Sequence, residues 1–255
     1  MTPPVTVSEV DLLVFGPHPD DIEIGMGGSV ARHVDLGARV GLCDLTAGEM
    51  GSNGTVEQRL AEAEAARAVL GASWRANLRW PDRAIGGADQ IRSAVAVIRQ
   101  ARPRTIAIPF WTDRHPDHVA SSHVLTEAAF SSGLRRFDPL LGDAWKPRVC
   151  YYFINDSTEP SFVVDVSEVY DRKRRALECY VSQFRPPGED AIHTRLTSPR
   201  FQQLIESRDA QFGALAGVAF AEGFVVRHPI VLASLLPGAT DGARGVRGTK
   251  SPSQQ

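Results

Sequence analysis

Over the first 130 residues, short apolar runs alternate with segments whose apolar positions recur every three or four residues. LLVFG (12–16), ARVGLCDLT (38–46), ANLRW (76–80) and RTIAIPF (104–110) read as strands. Between them, IGMGGSVARHVDLG (24–37), VEQRLAEAEAARAVLG (56–71) and DQIRSAVAVIRQA (89–101) carry helical spacing. Two of these three end in glycine, a common helix stop. Strand and helix in alternation predict right-handed βαβ crossovers, hence an α/β fold with a mostly parallel sheet and helices on both faces.

Beyond residue 146 the alternation loosens. PRVCYYFI (147–154), SFVVDV (161–166) and EGFVV (222–226) read as strands. SEVYDRKRRALECYVSQF (167–184), with Ser167 as its N-cap, and RFQQLIESRDAQFGALAG (200–217) read as helices. The stretch 184–200 is expected to be a long loop bordering a pocket. A single domain is expected over 1–236, followed by a disordered tail, 237–255, with almost no apolar content.

Composition narrows the class. The chain has 255 residues, 43% of them hydrophobic and 23% charged, enough to bury a substantial core. A formal net charge of -2 leaves no electrostatic footprint for nucleic acid or an anionic membrane. No apolar run reaches the roughly 18 to 20 residues that span a bilayer, and MTPPVTVSEVD does not read as a secretory signal. Cys43, Cys150 and Cys179 are too widely spaced for a CxxC site and read as small core residues. A cytoplasmic protein is expected.

The chemistry concentrates at two strand exits. GPHPDDIE leaves the first strand and WTDRHPDH leaves the fourth, so the tripeptide HPD occurs twice. In an open parallel sheet, ligands gather beyond the carboxyl ends of the strands. His18 and Asp21, three residues apart at a strand-to-helix turn, can face one point, and His118 can join them from the second motif. Two histidines and one carboxylate suit zinc with a fourth position open, although iron or cobalt accept the same donors. Asp20 points away from its neighbour Asp21 and is the expected general base. His115 is expected to stabilise an oxyanion or protonate a leaving nitrogen, with Asp117 orienting its ring or, alternatively, capping the following helix. Together these roles describe metal-assisted hydrolysis of an amide or ester. Glu23 either fixes a ligand from behind or serves as first-turn helix charge. Among the other histidines, only His193, in the long loop, is placed to reach the pocket.

GPHPDDIE and DRHPDH, with GLCDLTAGEMGSNGT (41–55), LRWPDRAI (78–85), YVSQF (180–184) and FAEGF (220–224), resemble the PIG-L/LmbE-like zinc-dependent N-acetylglucosaminyl deacetylases. The bacillithiol-biosynthesis type, which deacetylates N-acetylglucosaminyl-malate, is the nearest in pattern. The resemblance implies a Rossmann-like fold and one Zn2+ on His18, Asp21 and His118. It also implies a base at Asp20 and a stabilising or acidic His115 paired with Asp117. Arg59 and Asp82 match residues that hold sugar hydroxyls, and the position of Arg114 suits a substrate carboxylate. Family members are commonly homo-oligomers, often hexamers. Two departures stand out: Pro17 precedes His18, and Phe201 falls where close relatives carry a tyrosine. The expected activity is deacetylation of an amino-sugar glycoside, the malate conjugate first, with inositol, chito-oligosaccharide or antibiotic conjugates as alternatives. A nucleotide-binding module on the same sheet is disfavoured, because the first turn lacks GxGxxG and its acids repel phosphate.

Overall fold

The computed structural model describes residues 7–186, 188 and 191–231. Seven strands, β1 (Leu12–Gly16), β2 (Val40–Thr46), β3 (Trp74–Trp80), β4 (Thr105–Pro109), β5 (Arg148–Tyr152), β6 (Phe162–Asp165) and β7 (Ala221–Val225), form one sheet. Its order is β3-β2-β1-β4-β5-β7-β6. The first five strands run parallel, while β7 lies antiparallel to both β5 and β6. Every residue of β1 and β2 is buried, as expected for central parallel strands covered on both sides. The α/β, Rossmann-like expectation therefore holds.

Helices α1 (Asp21–Asp35), α2 (Val56–Leu70), α3 (Ala88–Ala101) and α4 (Pro116–Ser132) follow successive strands. Alternate residues of β1 and β4, Leu13, Phe15, Ile106 and Ile108, share one core with Val95 and Ile98 of α3 and Leu125 and Ala128 of α4. Helices α1 and α2 pack with each other and with α5 (Tyr170–Glu178). Gly25 shows how close α1 approaches the sheet. A Cβ there would overlap the Tyr152 ring and come 2.7 Å from the Phe153 carbonyl oxygen. Helix α1 breaks at Met26 (φ -151, ψ 27). The Glu222 carboxylate accepts from the backbone N–H groups of Gly28 (3.0 Å) and Ser29 (2.6 Å) beyond the break, and Lys173 Nζ neutralises it from 2.6 Å.

The expected helix over 167–184 is three pieces: a 3-10 turn at Ser167–Val169, α5, and α6 (Val181–Phe184). Ser167 does not cap it; its hydroxyl donates to Asp165 and to the Phe220 carbonyl. The second break has a cause remote in sequence. Glu62 of α2 accepts from both the backbone N–H (2.8 Å) and the hydroxyl (2.6 Å) of Ser182, so α2 captures the start of α6. Helix α7 (Pro199–Ala216) starts at the N-cap Ser198.

Contacts divide the chain into Met1–Val225 and Val226–Gln255, so the compact unit closes with β7. The expected tail, 237–255, lies outside the described residues. Among the described residues, no helix is long and apolar enough to cross a membrane.

Candidate metal centre

The strand order reverses between β1 and β4, the adjacent pair at the centre of the sheet. Loops leaving two such strands diverge to opposite faces and open a crevice between them, where α/β proteins bind ligands. GPHPDD leaves β1 and WTDRHPDH leaves β4, so both HPD motifs enter this one crevice. They line a cavity of about 270 Å³ that His18, Asp20, Asp21, Arg59, Asp82, Arg114, His115 and His118 all reach.

Asp21 Oδ2 is 3.0 Å from His18 Nδ1 and 3.3 Å from His118 Nε2. Tetrahedral ligands about 2.0–2.1 Å from zinc stand roughly 3.3 Å apart, so the three donors fit one ion. All three residues are buried. Burial disfavours protonation of His18, yet Asp117, Asp21 and Asp82 around it raise its pKa well above the ordinary value. His118 is pushed up to about 9 in the same way, burial being outweighed by Asp21 and Asp113. Asp21 is held well below the carboxylate range, the two imidazoliums overcoming its burial. Without an ion, this site takes up protons to balance its acids; a divalent cation supplies the same positive charge. A second grouping, His18 with His115 and Asp117, also brings donor atoms together. Arg83 already neutralises Asp117 through its backbone N–H (2.9 Å) and Nη1 (2.7 Å), so His18, Asp21 and His118 are the better set.

Each histidine is backed on its far nitrogen by a carboxylate, the usual way to orient a metal-binding imidazole. His18 Nε2 lies 3.2 Å from Asp82 Oδ1, and His118 Nδ1 lies 3.0 Å from Asp113 Oδ1. Neither role was apparent in the sequence. Asp82, expected to hold sugar hydroxyls, lines the cavity but already has a partner on each oxygen, the second accepting from the Met50 N–H at 3.1 Å. No local pattern singled out Asp113. The nearest clue is its place two residues before the second HPD, where its carboxylate accepts the His115 N–H at 2.8 Å.

Asp20 has a left-handed backbone (φ 119), which sends its side chain away from the three donors and toward Arg59. Burial, opposed by the Arg59 charge and assisted by Asp21, raises its pKa to about 7. A buried carboxylate balanced at neutrality is what a general base requires. Arg59 lies in the crevice as expected, but its guanidinium is committed to the loops. It donates to the Pro19 carbonyl at 2.7 Å and the Gly48 carbonyl at 3.0 Å, and reaches Asp20 at 3.4 Å.

His115, rather than Asp117, caps α4: its Nδ1 accepts the Asp117 backbone N–H at 3.2 Å. That bond leaves the His115 proton on Nε2. Burial, with the nearby imidazoles, lowers the pKa of His115, keeping it a neutral donor. The Asp117 carboxylate does not orient the His115 ring. It is held by Arg83 and lies 3.5 Å from His18 Nε2. Arg83 takes a positive φ (65) to place both its donors there, a conformation that sequence spacing does not forecast.

Arg114 is exposed at the mouth, and Phe201 lines one wall, so a ring without a hydroxyl stands there. His193 is exposed and absent from the lining, to which its loop contributes Thr194 and Leu196. Glu23 is fully buried but is bound to Arg75 at 2.5 Å, and Arg75 also grips Asp44. It therefore belongs to an ion network beneath the site and is not a first-turn surface charge.

A mostly parallel Rossmann-like sheet thus carries at its switch point two histidines and a carboxylate able to hold a metal, beside a near-neutral acid. Comparison with known proteins shows the family. Residues 13–129, which include both HPD motifs, match the PIG-L model, GlcNAc-PI de-N-acetylase. The chain is 30% identical over 232 residues to the diacetylchitobiose deacetylase of Thermococcus kodakarensis, covering 83% of this chain and 81% of that one. It is 27% identical to the 1D-myo-inositol 2-acetamido-2-deoxy-alpha-D-glucopyranoside deacetylase of Rhodococcus opacus, over 76% of this chain and 89% of that protein. The crystal structure of a conserved protein from Thermus thermophilus superposes with a TM-score of 0.80 at 36% identity, covering 89% of this chain and 99% of that one. The chain belongs to the PIG-L family of de-N-acetylases.

Proposed function

We propose that this protein is a zinc-dependent hydrolase that removes the acetyl group from an N-acetylglucosaminide. The observation that carries this reading is the convergence of His18, Asp21 and His118 beside the near-neutral carboxyl of Asp20. Zn2+ held by His18, Asp21 and His118 would activate water and polarise the acetyl carbonyl. Asp20 takes the proton of the attacking water, its pKa close to the pH at which it must act. Neutral His115, with its proton on Nε2 by virtue of the Asp117 N–H, hydrogen-bonds the developing oxyanion, and Asp20 passes the proton it took from water to the leaving amine. Asp117, held by Arg83, keeps negative charge beside His18. Phe201 supplies no donor, so His115 is the side chain assigned to the oxyanion.

Chemistry at the mouth supports one choice of aglycone over others. Exposed Arg114 suits bidentate pairing with a carboxylate, which favours an acidic aglycone such as malate, the bacillithiol-type substrate. Relatives named for chitobiose and inositol glycosides favour another N-acetylglucosamine conjugate as the second reading. Acetate release measured on N-acetylglucosaminyl-malate, diacetylchitobiose and the inositol glycoside separates the two. Turnover of none of them, by zinc-loaded protein, refutes the proposal.

A further inference from the structure

We infer that Asp113 is a positioning residue for the metal centre: it fixes His118 in the tautomer whose Nε2 is free for the ion, and so sets the affinity of the site. The inference rests on the reading of His118 as a ligand and adds to it a residue outside both HPD motifs.

The geometry is specific. His118 presents Nε2 to Asp21 (3.3 Å) and Nδ1 to Asp113 Oδ1 (3.0 Å), so its two nitrogens face different partners. With a cation taking the Nε2 lone pair beside Asp21, the one proton left on a neutral imidazole sits on Nδ1, where Asp113, which can only accept, receives it. The Asp113 side chain is 3% exposed, which shields this contact from water. It also ties two loops together. Oδ1 accepts the His115 N–H at 2.8 Å and Asn155 Nδ2 at 3.1 Å, while Oδ2 accepts the Asn155 N–H at 3.0 Å. One carboxylate thus sets the start of the HPDH turn, the loop after β5 and the ring of His118. The negative charge behind Nδ1 makes Nε2 a stronger donor to a cation. Asn155 Nδ2 lies 3.4 Å from His118 Nδ1. It cannot replace Asp113, because two donors facing each other make no bond.

The test measures zinc affinity by competition with a graded series of chelators, on full-length wild type, Asp113→Asn and Asp113→Ala. Melting of the metal-free proteins, followed in parallel, shows which variants fold. The expected result is a zinc dissociation constant about 10 to 100-fold higher for Asp113→Ala, as for other outer-shell partners of metal-bound histidines. Asp113→Asn, which keeps one oxygen acceptor, falls between. A folded alanine variant whose zinc affinity lies within threefold of wild type overturns the inference. Nitrogen-15 spectra of the zinc-loaded wild type give an answer that needs no variant. A slowly exchanging proton on His118 Nδ1 supports the assignment, and metal bound through Nδ1 refutes it. Wild type that binds no zinc would instead defeat the functional proposal itself, so the two failures are distinguishable.

Discussion

Replacing Asp20 by Asn isolates the proposed base, because the side chain keeps its shape and loses its charge. The kinetic magnitude follows from the role. General base catalysis contributes about 10²–10⁴ in rate, so turnover by Asp20→Asn is expected to fall by that factor, with zinc still bound at one per chain. The structure adds a thermodynamic signature. Burial holds the folded carboxyl near pKa 7 against an ordinary value of 3.8. For a carboxyl whose folded pKa is raised, the folded state holds the proton more tightly. Its contribution to stability is therefore greatest below about pH 4, declines as pH rises toward 7, and is constant above. The difference between the two pKa values corresponds to an upper bound of about 4 kcal/mol. Metal-free Asp20→Asn should therefore gain stability over metal-free wild type between pH 5 and 8, read by urea denaturation at both values. Zinc in the site favours the carboxylate and draws the acidic limb of the wild-type rate profile to about pH 7 or below. A zinc-loaded Asp20→Asn enzyme retaining more than a tenth of wild-type turnover would refute the assignment. A stability difference independent of pH would refute the electrostatic account.

Arg59→Met removes the cation that lowers the Asp20 pKa, so the acidic limb should move to higher pH. Unfolding stability should fall by about 3 kcal/mol, because a buried partner is left unpaired. Gly48→Ala should move the same two observables in the same direction. Its φ of 66 is costly for alanine, and the new Cβ would overlap the Arg59 guanidinium. Zinc binding at pH 7 should release about two protons, because His18 and His118 are both raised and must be neutral to bind; calorimetry in buffers of different ionisation enthalpy counts them. Arg114→Ala should raise KM for the malate glycoside several-fold and leave that for diacetylchitobiose unchanged. An equal change for both would remove Arg114 from aglycone recognition.

Local pattern carried much of this molecule. Strands of continuous apolar residues, helices with regular spacing and the two HPD tripeptides were each visible within a dozen residues. The parallel order then brought the two motifs into one crevice. What stayed hidden depends on contacts remote in sequence. The helix over 167–184 breaks because Glu62, 120 residues before Ser182, captures its hydroxyl and N–H. The Asp117 carboxylate turns from His115 because Arg83, on another loop, offers it two donors. Asp82 and Asp113 stand behind the metal histidines only once three loops have assembled, and although they lie in LRWPDRAI and WTDRHPDH, nothing local there shows which histidine each would back. The departure at Arg59 has the same origin. Its helix was placed correctly, but the carbonyls of Pro19 and Gly48 that occupy its guanidinium come from loops whose path no periodicity encodes.

The central claim is tested most directly by diffraction above and below the zinc absorption edge, on crystals of the purified protein. The account predicts one strong anomalous peak at bonding distance, about 2.0–2.2 Å, from His18 Nδ1, Asp21 Oδ2 and His118 Nε2. A zinc ion bound elsewhere in an active enzyme, with this trio empty, would contradict it.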